Sequence, residues 1–258
     1  GSEMCIRDRY LARAHRDLAS LVPVMTPLAR AFNDDDCDLY LVGGSVRDAL
    51  LGRLSSDLDF TTNARPQDIH RLLESTCDAV WDTGIDYGTV SGQRSGQDIE
   101  VTTFRADTYD GESRNPEVTF GDSLDKDLTR RDFTVNAMAV EVRGGGSQVF
   151  HDPLHGLTDL VRGYLDTPDD PAISFHDDPL RMLRACRFVS QLGLRVAPRV
   201  REAMERMAGD IQRITAERIH AELDKLILGD HPTDGIELMV DTGLADYIIP
   251  EIPAMRMT

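Results

Sequence analysis

The reading turns on Leu41-Val42-Gly43-Gly44-Ser45-Val46-Arg47-Asp48-Ala49-Leu50-Leu51-Gly52-Arg53, followed by Leu54-Ser55-Ser56-Asp57-Leu58-Asp59-Phe60-Thr61-Thr62. Leu39, Leu41 and Val42 form a short apolar run that reads as a buried strand ended by two glycines. Gly43 and Gly44 permit a tight turn and let backbone N–H groups come close to a ligand. Val46 to Leu51 reads as a short helix with Ser45 as its N-cap and Gly52 just beyond its end. Such a helix start suits a polyphosphate, because its unpaired N–H groups and the helix dipole favour negative charge. Asp57 to Phe60 reads as a second strand, whose alternation sends Asp57 and Asp59 to one face and Leu58 and Phe60 to the other.

Two carboxylates beside a glycine turn match the needs of Mg²⁺ carrying a triphosphate, since Mg²⁺ takes one or two carboxylates, phosphate oxygens and water. Each piece alone has a bland reading, a common Gly-Gly turn or a solvated strand edge. In this order, between two strands, they are far more specific.

Gly43-Gly44, the short helix and Asp57-x-Asp59 resemble the nucleotidyltransferase superfamily that includes DNA polymerase beta. The fuller string, with Val46-Arg47-Asp48 and Gly52-Arg53, is similar to the class II tRNA nucleotidyltransferases (CCA-adding enzymes) and their bacterial poly(A) polymerase relatives. The resemblance implies an α+β fold: a polymerase-beta-like head with a mixed sheet and flanking helices, then an all-helical neck. The expected division is an N-terminal leader and helical segment over 1–33, a head over 34–152, a neck over 153–230, and the start of a helical body over 231–258.

Later motifs extend the likeness. Gly88 to Gly92 and Gln97 to Arg105 read as a hairpin, with Asp98, Glu100 and Thr102 on one face of its second strand. Glu100 matches the family's Glu-Val-x-Thr-Phe-Arg strand and is the expected third metal carboxylate; a solvent-facing strand acid is the alternative. Ala106 to Leu124 is polar and carries Gly111, Pro116 and Gly121, which suggests a mobile loop. Arg130-Arg131-Asp132-Phe133-Thr134-Val135-Asn136-Ala137-Met138-Ala139 resembles a family motif in which Asp132 meets ribose hydroxyls and Arg131 and Asn136 lie near sugar and phosphates. Val140, Val142, Val149 and Phe150 around the Gly144–Gly146 run read as a closing hairpin, giving a sheet of about five strands.

Asp177-Asp178-Pro179-Leu180-Arg181 resembles the family's Glu-Asp-x-x-Arg motif, with Asp177 where glutamate is usual. The resemblance implies that Asp178 and Arg181, one helical turn apart, read the incoming base, and Arg184 is grouped with them. A carboxylate accepts from the exocyclic amines of cytosine and adenine and repels the carbonyls of uracil and guanine. Such a pair selects C and A by leaving the wrong base's partners unsatisfied. An Asp–Arg pair at a helix start with no role in binding is the alternative.

Composition is consistent with this. The 258 residues carry a net charge of −17, 41% apolar and 28% charged residues, and only two lysines, Lys126 and Lys225. That balance argues against broad nucleic-acid binding, while arginines recur from Arg181 to Arg218. Four scattered cysteines read as reduced thiols, and no run resembles a membrane span or secretory signal, so a cytoplasmic protein is expected. Residues 1–9 match nothing in the family and are set aside as a leader of separate origin. Pro23 and Pro27 are expected to break or kink the apolar run from Tyr10 to Phe32.

The implied reaction is template-independent transfer of CMP and AMP, from CTP and ATP, to the 3′ end of tRNA. Asp57, Asp59 and Glu100 would hold two Mg²⁺ ions, which lie ~3.5–4 Å apart in such sites. Gly43, Gly44, Ser45 and Arg47 would position the phosphates. Poly(A) polymerase is the rival within the class, and a catalytically idle RNA-binding fragment the rival outside it.

Overall fold

The computed structural model describes residues 2–105 and 120–249, so most of the expected mobile loop lies outside the described residues. The chain divides into two compact units, Gly1–Arg131 with Asn136–Leu157, and Asp132–Val135 with Thr158–Thr258.

The first unit opens with α1 (Ser2–Ala19) and α2 (Val22–Asp34). The break falls ahead of Pro23, which sits in the first turn of α2, where a missing N–H leaves no hydrogen bond unmade. Pro27 lies inside α2 without ending it. Then follow β1 (Leu39–Val42), α3 (Gly44–Leu50), β2 (Asp57–Thr62), α4 (Pro66–Glu74), β3 (Ala79–Trp81), β4 (Thr89–Arg94), β5 (Gln97–Thr103), α5 (Leu124–Thr129), β6 (Ala139–Val142) and β7 (Gln148–His151). The seven strands make one sheet in the order β3-β4-β5-β2-β1-β6-β7. Only β2 and β5 pair in parallel, so the sheet is mixed.

About five strands are expected from the sequence and seven are present; β3, at three residues, is too short to show an alternating pattern. Between β4 and β5, Ser95 and Gly96 both adopt positive φ, 52° and 78°. This two-residue turn matches the twist of the strands it joins. Leu39, Leu41, Leu58, Phe60, Ile99 and Val101 are fully buried on the sheet's strands. Each such side chain stabilises the fold by about 1.5–3 kcal/mol relative to exposure. Because β2 alternates, burying Leu58 and Phe60 on one face forces Asp57 and Asp59 onto the other.

The second stretch contains α6 (Gly156–Arg162), β8 (Tyr164–Leu165), α7 (Pro171–Asp177), α8 (Leu180–Leu192), β9 (Arg195–Val196), α9 (Pro198–Met207), α10 (Ala216–Ile227), α11 (Pro232–Asp241) and α12 (Ala245–Ile248). Helices dominate, but the region is not wholly helical: β8 and β9 form a two-residue parallel pair. The central helix is α8, which buries Met182, Leu183, Ala185 and Cys186 completely. Helices α10 and α11 lie against α8, and Gly235 permits the close approach; a Cβ there would lie 2.7 Å from the Cys186 carbonyl oxygen. Phe133 belongs to this unit and meets Phe188 edge-on, with ring centroids 5.9 Å apart.

Candidate active site

The carboxylates expected to act together are gathered by strand register. Asp57 lies opposite Asp98, and Asp59 opposite Glu100, across the parallel β2–β5 pair. The row continues outward, with Glu100 facing Ser91 on β4 and Ser91 facing Trp81 on β3. These residues line an open cleft of about 530 Å³.

Asp59 is reached by solvent, yet it sits on the cleft floor with the sheet around it. This partial burial is the largest influence on its carboxyl and raises its pKa; Arg131 and Arg47 pull it down and Asp57 pushes it up. Glu100 is raised too, by burial first and then by the charges of Asp59 and Asp57. Among the described residues no three His, Cys, Asp or Glu side chains form a self-sufficient metal cage. The donor set nonetheless suits Mg²⁺, a hard cation that binds through one or two carboxylates and completes its shell with water and phosphate. Paired carboxylates whose charge is penalised are the chemistry that a cation relieves.

The glycine turn stands on the β1 side of these acids. Gly43 has φ 66°, and a Cβ there would come 3.1 Å from Arg131 Nη1; a Cβ on Gly44 would come 3.3 Å from Arg47 Nη2. The missing side chains thus leave room for two guanidinium groups at the turn. Arg131 Nη2 donates to Asp127 Oδ2 at 3.3 Å, and its Nε is buried with no hydrogen-bond partner among the described residues. Arg47 Nη1 donates to Asn136 Oδ1 at 2.5 Å, and its Nε donates to Asp48 Oδ1 at 3.0 Å.

Ser45 differs from expectation. The helix begins at Gly44 with Gly43 as its cap, so Ser45 lies within α3 and does not cap it. Its buried hydroxyl accepts from the Asp59 N–H at 3.0 Å and donates to the Asp57 carbonyl at 3.3 Å. Ser45 therefore fastens α3 to the backbone of the strand that carries both aspartates.

In the second unit Asp132 is held tightly. Its Oδ2 accepts from Arg184 Nε at 2.8 Å and Nη2 at 2.6 Å, and its Oδ1 from the Phe133 N–H at 2.8 Å. Buried Glu222 extends the network, 3.7 Å from Arg184 and 3.0 Å from Arg187. Burial opposes the charge of Arg184, but Asp132 and Glu222 outweigh it and its pKa rises.

Asp178 and Arg181 do not share one helix as expected. Asp178 is extended, at the end of α7 and ahead of α8, because Pro179 excludes helical geometry at the residue before it. Its carboxylate accepts from the Leu180 N–H at 3.1 Å and from both Arg218 terminal nitrogens, at 2.8 and 3.4 Å. Arg181 Nη1 donates to Ser174 Oγ at 2.9 Å, and burial lowers the pKa of its guanidinium.

Sequence reasoning did not single out Glu222, Ser174 or Trp81, and placed Arg218 only at the end of the arginine run. A signal existed for Glu222 and for its placement with Arg218. Arg218, Glu222 and Leu226 recur every four residues on α10, so two charged groups share a face with a fully buried leucine.

A strand, a Gly-Gly turn, a helix and a strand bearing Asp57 and Asp59, with Glu100 in register on the parallel neighbour, define a nucleotidyltransferase head of the polymerase-beta type. The chain belongs to the family of poly(A) polymerases and CCA-adding enzymes. Residues 39–166 match the Poly A polymerase head domain, and residues 193–255 match the Probable RNA and SrmB- binding site of polymerase A. The CCA-adding enzyme of Levilactobacillus brevis is 40% identical over 222 residues, which cover 86% of this chain and 54% of that protein. That of Anoxybacillus flavithermus is 41% identical over 220 residues, covering 85% and 53%. The crystal structure of Bacillus stearothermophilus CCA-adding enzyme in complex with CTP superposes with a TM-score of 0.75 at 36% identity, covering 86% of this chain and 52% of that one. The chain thus spans about half the length of the relatives it matches.

Proposed function

We propose that this chain carries the transferase centre of a CCA-adding enzyme, moving CMP and AMP from CTP and ATP to the 3′ end of tRNA in the cytoplasm. The observation that carries the reading is the register that aligns Asp59 with Glu100 one strand away from the Gly43-Gly44 turn. Asp57, Asp59 and Glu100 would hold Mg²⁺, which supplies neutralising charge for the triphosphate and the departing pyrophosphate. Backbone N–H groups at Gly43 and Gly44, with the Arg131 guanidinium, would seat the phosphates. Arg47 would orient Asn136, and Ser45 would keep β2 at a fixed distance from the turn. Asp132, oriented by Arg184, would accept from the ribose hydroxyls, and base choice would fall to Asp178 and Arg181. No helix among the described residues is long and apolar enough to cross a membrane.

The test is incubation with tRNA lacking its terminal CCA and each labelled triphosphate. Incorporation of C and A only, lost in Asp57→Ala and Asp59→Ala, is the expected outcome. Incorporation of A alone would favour a poly(A) polymerase. Full activity in both aspartate variants would refute the assignment of the site.

A further inference from the structure

Trp81 is the single tryptophan of the chain and lies 46% exposed on the edge strand β3. An aromatic ring of this size is ordinarily drawn into a core. Here the register forbids it. Trp81 faces Ser91, Ser91 faces Glu100 and Glu100 faces Asp59, so the indole emerges on the carboxylate face of the sheet. It lines the same cleft as Asp57, Asp59 and Glu100.

The sheet order gives the two sides of this cleft different neighbours. On the β1 side of β2 stands the glycine turn with Arg131; on the other side come β5, β4 and β3 in succession. In phosphoryl transfer the attacking and leaving oxygens lie roughly in line through the phosphorus. If pyrophosphate leaves toward the Gly43-Gly44 turn, the attacking hydroxyl arrives from the β5 side. The nucleoside carrying that hydroxyl then lies over β4 and β5, and its base extends toward β3. From β5 to β3 is two strand spacings, roughly 10 Å, a gap that one nucleoside bridges. Position 91, between them, is a small serine that leaves this path open.

We infer that Trp81 is an acceptor-binding residue, a stacking platform for the 3′-terminal nucleobase of the RNA being extended. The inference rests on the nucleotidyltransferase reading above. Stacking fits a cleft lined by Asp57, Asp59, Asp98 and Glu100, where phosphate contacts are disfavoured and the π-face of a base is not. It also tolerates any terminal base, as an acceptor end that changes with each addition requires.

Because Trp81 is the sole tryptophan, its fluorescence reports the event directly. The chain is titrated, with Mg²⁺ present, with a short RNA ending in a 3′-hydroxyl and with the same RNA abasic at its last position. The expected result is quenching by the first and roughly 5- to 150-fold weaker binding of the second, the range for loss of one base–aromatic stack. In extension assays Trp81→Ala should raise KM for RNA and leave KM for CTP unchanged, with Trp81→Phe restoring most of the loss. Equal affinity for both RNAs would overturn the inference, as would quenching by free CTP or ATP to the same extent. If no RNA is extended at all, the transferase reading fails on its own, while the abasic comparison still decides whether Trp81 stacks.

Discussion

Replacing Asp59 by asparagine should make the metal-free protein more stable. Asp59 and Glu100 stand in register across the parallel β2–β5 pair; burial raises both pKa values, against the pull of Arg131 and Arg47 at Asp59, and with the charges of Asp59 and Asp57 added at Glu100. Adjacent strands are roughly 5 Å apart. Two like charges at that distance cost about 3 kcal/mol at an effective dielectric of 20, and under 1 kcal/mol in bulk water. The cleft is open to solvent and Asp59→Asn also gives up attraction to Arg131 and Arg47, so the net gain from lost repulsion and relieved burial of charge is about 1 kcal/mol. For a chain of this length that corresponds to a rise in Tm of about 2–4 °C. The pH dependence has a definite sign. A carboxyl whose folded pKa is raised destabilises the fold when ionised, so the wild type gains stability as pH falls through that raised value. The advantage of the asparagine variant should therefore be largest near neutral pH and shrink in mild acid. On the proposed reading Mg²⁺ should reverse the ranking, because the paired carboxylates would hold it and it would stabilise the folded wild type more than the variant. The assay is thermal unfolding of both proteins, with a chelator and with Mg²⁺, from neutral to mildly acidic pH. A metal-free Asp59→Asn protein less stable than wild type, or one equally stabilised by Mg²⁺, would refute the reasoning.

Asp178→Ala should relax nucleotide choice toward UTP and GTP. Two mismatched polar contacts at about 1–3 kcal/mol each supply a selectivity on the order of a hundredfold, read by single-nucleotide incorporation with all four triphosphates. Ser45→Ala should cost about 1–3 kcal/mol in denaturant unfolding, because the Asp59 N–H loses its acceptor; it should also weaken Mg²⁺ binding, which an isothermal titration would show. Glu222→Ala should destabilise the second unit by about 3 kcal/mol, since it strips a buried carboxylate from Arg184 and Arg187. Chemical denaturation measures that loss, and a change under 1 kcal/mol would show that the network is not held by Glu222.

The head was legible because its pattern is local. Apolar Leu58 and Phe60 alternate with Asp57 and Asp59, so one strand declares both its buried and its open face. Alternation alone puts Asp98 and Glu100 on one face; the family resemblance singles out Glu100, and its register with Asp59 is set by the crossover between β2 and β5, which no local pattern records. Ser45 was misread because an N-cap and an in-helix serine differ by a single residue in where the helix begins. Its partners on β2 are 12 and 14 residues away. Asp178 differs for another reason: spacing alone puts it one helical turn from Arg181, but Pro179 disfavours helical geometry at the residue before it. The ion pairs of Asp178 with Arg218 and of Asp132 with Arg184 join residues 40 and 52 positions apart, beyond anything spacing reveals.

The short run Asp132–Val135 belongs with residues after 157, although the chain on both sides of it belongs to the head. The backbone therefore changes unit three times, at 131/132, at 135/136 and at 157/158. Neither unit is a cassette that one cut can release. A piece starting after residue 152 leaves Phe133 behind, removing the ring that meets Phe188, and leaves Asp132 behind, removing the carboxylate that Arg184 grips. Recombination between relatives at a single junction preserves both units only where the donor and recipient already agree across these four residues. Inheritance of the two units is thereby tied together by the thread of the chain itself.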